Sequence, residues 1–72
     1  MQATTILRRG SQGQAVKELQ AQLNIFGAKL KEDGIFGAAT EAAVKAFQKN
    51  NGLKVDGIVG RLTWSALQSP GC

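Results

Sequence analysis

The chain reads as an all-α domain: three helices, two of them introduced by related Asp-Gly turns. Apolar and small residues recur at helical spacing, first Val16, Leu19, Leu23 and Phe26, then Thr40, Ala43, Val44 and Phe47. The stretch Asp33-Gly34-Ile35-Phe36-Gly37-Ala38-Ala39-Thr40 returns as Asp56-Gly57-Ile58-Val59-Gly60-Arg61-Leu62-Thr63, displaced by 23 residues. The alternating segment Leu53-Lys54-Val55 is too short to make a sheet alone.

Each element has its own punctuation. Residues 1–5 are polar and expected to be flexible, and Ile6 and Leu7 are placed to anchor the leading segment. Ser11 with Gln14 three residues on reads as a capping box, so helix one is predicted over residues 12–25, ending near Gly27. Leu30, isolated in the next loop, is expected to turn inward. Helix two is predicted over residues 38–50, stopped by Asn50-Asn51-Gly52. Helix three is predicted over residues 61–68, and Ser69-Pro70-Gly71-Cys72 reads as a tail.

The repeated turns carry a mechanism. Gly34 and Gly57 accept positive φ, and Asp33 and Asp56 can bond nearby amides. Gly37 and Gly60 stand where a helix N-cap belongs. Ala15-Val16-Lys17-Glu18-Leu19-Gln20 also resembles Ala43-Val44-Lys45-Ala46-Phe47-Gln48, displaced by 28 residues, so the first connecting loop is five residues longer. Two such units must close on one core. Its expected members are Val16, Leu19, Leu23, Phe26, Ile35, Val44, Phe47, Leu53, Ile58, Leu62 and Leu67.

Seventy-two residues make one domain with a small core. Cys72 is the only cysteine, so no disulfide is available and the redox compartment is open. Nine Lys and Arg against five Asp and Glu give a net charge of +4, compatible with an anionic partner. No apolar run could span a membrane. The N-terminus lacks the apolar core of a signal peptide, so a domain working outside the cytoplasm would be exported by other means, or would begin elsewhere.

Catalysis is disfavoured by composition. The chain has no His and no Tyr, and Cys72 has no base to activate it. Asp33 and Asp56 have structural work in their turns, which argues against a glycosidase pair. The same loops offer too few oxygen ligands for calcium. Nucleic acid is set aside: helix three carries only Arg61 and Gln68, and helix two adds only Lys45, Gln48 and Lys49.

Three strings together resemble a known family. They are Gly10-Ser11-x-Gly13-x-x-Val16-x-x-Leu19-Gln20, then Asp33-Gly34-x-Phe36-Gly37-x-x-Thr40-x-x-Ala43-Val44-x-x-Phe47-Gln48, then Val55-Asp56-Gly57-Ile58-Val59-Gly60-x-x-Thr63-Trp64-x-Ala66-Leu67. The chain is thereby similar, over residues 7–68, to the small peptidoglycan-binding domain of bacterial cell-wall hydrolases and phage lysins. Ala38 and Arg61 stand where that family often has Pro. The resemblance implies a domain over residues 6–68 that binds the wall without catalysis, cofactor or metal. It implies a monomer in the cell envelope or outside the cell, beside a catalytic domain or within a larger assembly. Two rivals are a docking module of a phage or secretion particle and a metalloprotease pro-segment; for the latter, the tail has Pro70 shortly before Cys72 but lacks the intervening Arg.

The ligand is expected in a groove between helices two and three, flanked by both turns and lined by Lys45, Gln48, Arg61 and Trp64. Free amides at the helix starts suit carboxylates. Trp64 has two readings, a core aromatic or a flank platform beside an inner stripe of Thr63, Ala66 and Leu67. Gln48 reads either as a solvated edge residue or as a hydrogen-bonder in the groove.

Overall fold

A computed structural model describes residues 6–68 and contains three helices, α1 (Gln14–Ile25), α2 (Ala38–Asn50) and α3 (Arg61–Gln68). The expected flexible segment 1–5 and the tail 69–72 lie outside the described residues. Two isolated antiparallel bridges, Leu7 with Val59 and Gln12 with Ile35, tie the leading segment to the turns. The all-α reading and the spans of α2 and α3 hold.

The start of α1 differs from its prediction. The residue preceding the helix is Gly13, with φ 122°, and no side chain caps it. Ser11 is engaged elsewhere: its N–H donates to Arg8 O at 2.9 Å, and its Oγ accepts the Arg8 N–H at 3.1 Å. Residues 10–13 then pair with the first turn, through Gly13 N–H to Gly34 O at 2.9 Å and Phe36 N–H to Ser11 O at 3.0 Å. The chain therefore cannot become helical until Gln14.

The helix ends follow the rule. After α1 the Gly27 N–H donates to Asn24 O and the Ala28 N–H to Leu23 O. After α2 the Gly52 N–H donates to Lys49 O and the Leu53 N–H to Gln48 O. Both are left-handed glycine caps of the Schellman type, with Gly27 at φ 97° and Gly52 at φ 69°.

The core consists of Leu7, Val16, Leu19, Leu23, Phe36, Val44, Phe47, Val59, Trp64 and Leu67, with Leu30 and Leu53 packed against it. The expected register of the turns is off by one. Ile35 and Ile58 are 53% and 38% exposed, whereas Phe36 and Val59 are buried. The cause is pairing: Val59 exchanges both backbone bonds with Leu7, and Phe36 bonds Gly10 and Ser11. In extended backbone, neighbours face opposite sides, so burying 36 and 59 turns 35 and 58 outward. Phe26 and Leu62 also leave the expected core, Leu62 being 72% exposed. Phe26 lies past the last turn of α1 and packs edge-on against Phe47, ring centroids 5.1 Å apart.

Two buried glutamines join the helices to the turns. Gln20 Nε2 donates to Asp33 Oδ1 at 3.1 Å, to Ile35 O at 2.9 Å and to Thr40 Oγ1 at 3.1 Å. Its Oε1 accepts the Gly34 N–H at 2.9 Å. Gln48 Nε2 donates to Asp56 Oδ1 at 3.0 Å, to Ile58 O at 2.9 Å and to Thr63 Oγ1 at 3.2 Å. Its Oε1 accepts the N–H groups of Asp56 and Gly57. Each NH2 has two hydrogens for three acceptors, so one hydrogen is shared. These bonds satisfy the buried Gly34 and Gly57 N–H groups, which would otherwise be stranded.

Candidate functional site

The second turn and the start of α3 form a small hollow of about 240 Å³. Leu53, Ile58 and Leu62 give it apolar walls, and Lys54, Asp56 and Arg61 give it charge. Gln48 and Thr63 also contribute to its lining, both almost wholly buried. The Gln48 amide fixes Asp56, and Asp56 Oδ1 accepts the Ile58 N–H at 2.9 Å. That backbone bond, aided by Gln48, holds the Asp56 carboxyl below its ordinary value of 3.8, with desolvation opposing. Asp33 is lowered in the same way, first by the Ile35 N–H and then by Gln20. Near neutral pH the hollow thus holds one carboxylate and two cations.

Of the four expected ligand residues, Gln48 and Arg61 line this hollow, while Lys45 and Trp64 do not. Gln48 is not a solvated edge residue. It is 1% exposed and spends its amide on the turn. Lys45 lies over that turn: a methyl on Gly57 would stand 3.0 Å from its Cε. Glu41 lies beside it and pairs with Arg9 at 3.1 Å.

Trp64 is a core residue at 6% exposure, so the flank placement is corrected. At about 100° per residue, Leu67 falls about 40° from Thr63, and Trp64 about 60° beyond Leu67. The buried face of α3 is therefore centred on Leu67 and takes in Trp64, and Ala66 is only its half-buried margin.

A larger hollow of about 680 Å³ lies between the end of α1, the loop after it and α2. Phe26, Lys29, Ala39, Ala42, Ala46 and Asn50 are among its lining residues. Sequence reasoning missed it, because its floor is made of alanines that carry no signal of their own. Its one legible sign was Phe26, which the periodicity assigned to the core.

Among the described residues, no group of three or more His, Cys, Asp or Glu could hold a metal ion. No described helix is long and apolar enough to cross a membrane.

Residues 12–67 match the family described as "Putative peptidoglycan binding domain". The chain belongs to this family. A peptidoglycan-binding protein from Clostridioides difficile, solved in complex with glutamine hydroxamate, superposes with a TM-score of 0.90 at 40% identity. That match covers 93% of this chain and 42% of the other. The Burkholderia AP3 phage endolysin superposes with a TM-score of 0.88 at 50% identity, over 94% of this chain and 26% of the endolysin. The zinc D-Ala-D-Ala carboxypeptidase of Streptomyces albus G is 45% identical over 64 residues, 85% of this chain and 25% of the carboxypeptidase. This peptidoglycan-binding domain thus spans about a quarter of that curated relative. Gly37 and Gly60 cap α2 and α3 although Ala38 and Arg61 follow them: Glu41 N–H donates to Gly37 O at 2.9 Å, and Trp64 N–H to Gly60 O at 3.0 Å.

Proposed function

We propose that this domain is a non-catalytic module that binds peptidoglycan and keeps an associated enzyme or assembly on the wall. The observation that carries the reading is the family match over residues 12–67. Similarity to a carboxypeptidase and an endolysin, each spanned only in part, supports a module that works beside a catalytic unit. On that reading the domain occupies residues 6–68 and acts in the cell envelope or outside the cell. The two Asp-Gly turn-helix units are copies of one ancestral unit, as the matching bonds of Gln20 and Gln48 suggest.

The ligand site we favour is the hollow at the second turn. Its two cations suit a stem-peptide carboxylate, and its apolar walls suit a small aliphatic side chain. Arg61 contacts the ligand, Gln48 holds the floor, Trp64 supports α3 from within, and Lys45 adds attraction from the neighbouring helix. Sedimentation with purified sacculi tests this. Binding should weaken between low and high salt, since exposed charges are screened within about 8 Å at physiological ionic strength. Arg61→Ala should weaken binding several-fold while leaving the melting temperature unchanged. Salt-independent binding that Arg61→Ala does not alter would remove the charged site. Absence of sedimentation by the unmodified domain would remove the wall-binding reading itself.

A further inference from the structure

The larger hollow lies on the other side of α2 from the second-turn site. Gln48 and Asn50 point about 160° apart around that helix, at 100° per residue. Its volume of about 680 Å³ falls within the range of small-molecule clefts. Along α2 its floor is Ala39, Ala42 and Ala46, all exposed, with no side chain long enough to fill the space. At its α1 end stands Phe26, 45% exposed. The Phe26 ring is braced at 61° against the buried Phe47 ring, so its free face is held in place before any ligand arrives. Asn50 follows Phe47 at the same end of α2, and its amide both donates and accepts, whereas the Asn51 amide already donates to Phe47 O at 2.9 Å. Lys29 is the single charged residue of the lining, and no carboxylate joins it.

We propose that this groove is a second binding site, for the uncharged glycan of the wall. The inference rests on the peptidoglycan-binding reading. A pyranose ring presents an apolar face of C–H groups, which suits an exposed aromatic ring and an alanine floor. Its hydroxyl and acetamido groups donate and accept, as the Asn50 amide does. Charge sorts the two ligands. The second-turn hollow holds Lys54, Asp56 and Arg61, which suits a charged peptide. The groove holds one cation and no acid, which suits a neutral chain. The module then grips both components of one polymer from opposite sides of α2, and linked weak contacts reinforce each other.

The test is a titration followed by amide NMR with two probes: a neutral oligosaccharide of β-1,4-linked N-acetylglucosamine, and free stem peptide. Glycan should shift Gly27, Ala28, Ala42, Ala46 and Asn50, while peptide should leave them unmoved. Phe26→Ala should weaken glycan binding by about tenfold or more. Ala46→Gln covers the case in which that variant is poorly folded. It fills the groove at an exposed helix position without changing charge, and should weaken glycan binding equally while leaving peptide binding intact. If glycan shifts appear elsewhere, are absent, or persist unchanged in Ala46→Gln while sacculi still sediment the domain, the second site is refuted and wall binding stands. If sacculi do not sediment the domain, wall binding falls and this inference falls with it.

Discussion

Replacing Gln48 with Leu should remove a large part of the stability of the domain. Leu has nearly the same size, so packing changes little and the effect isolates the amide. The change removes three bonds given by Nε2 and two accepted by Oε1. Asp56 is exposed and can turn to water, but the Gly57 backbone and Thr63 are buried. A buried donor or acceptor left without a partner costs about 1–3 kcal/mol, and an ordinary bond contributes about 1 kcal/mol net. Two stranded groups and the weakened Ile58 carbonyl together give a loss of about 3–5 kcal/mol. A domain of this size holds only about 4–11 kcal/mol in total. Urea unfolding followed by far-ultraviolet circular dichroism measures the loss, with exposed Gln14→Leu as the neutral control. Gln48→Glu keeps the shape but sets a carboxylate against three acceptors, and should be at least as damaging. If Gln48→Leu costs less than about 1 kcal/mol, the amide is not what secures the turn.

Other outcomes follow from the same geometry. Gly34→Val should cost more than the roughly 1 kcal/mol of a propensity change, and more than Gly57→Val. A new Cβ at 34 meets Gly13 O, a backbone atom, at 3.1 Å, whereas at 57 it meets the flexible Lys45 Cε at 3.0 Å. Negligible shifts in denaturant midpoint in both variants would contradict the turn assignment, and equal shifts would contradict the ranking. Trp64→Ala should cost about 3–5 kcal/mol, as large-to-small changes in a core do, and an unchanged melting temperature would return Trp64 to the surface. Acid should destabilise the domain. Asp33 and Asp56 have carboxyl groups lowered in the fold, so the unfolded chain takes up protons first as pH falls. Their contribution is full above the ordinary value near 3.8 and is lost as pH drops through the lowered values. The double variant Asp33→Asn, Asp56→Asn should therefore show a shallower decline below pH 4, and an identical acid profile would exclude these two groups.

Periodicity located α2 and α3 to the residue, because Gly37, Gly60 and Asn51-Gly52 mark their ends. It could not see that Ser11 is spent on Arg8, a contact that exists only once the leading segment pairs with the first turn. Ile35 and Ile58 look like core by composition, and only the pairing of Val59 with Leu7 and of Phe36 with Gly10 turns them outward. Trp64 was within reach of a helical wheel once the wheel was centred on Leu67. Gln20 belongs to a repeated string, but the string alone does not give its burial. The usable signal was a glutamine recurring beside Leu19 and Phe47, on the face that Val16 and Val44 already claim for the interior. The larger groove was the least legible part, since it is defined by what the alanines of α2 fail to fill.

The glutamine ties also govern where the chain can change length. Gln20 reaches Asp33 across 13 positions, and Gln48 reaches Asp56 across 8, yet both close on the carboxylate and on the carbonyl two residues later. Turn geometry is thus decoupled from the span of backbone that joins helix to turn. Lengthening such a span is entropically cheap, about 0.6 kcal/mol per doubling. Insertions should therefore be absorbed between the clamped residues, and Lys54-Val55, the shorter span, is where a guest loop could be grafted without disturbing either α2 or α3.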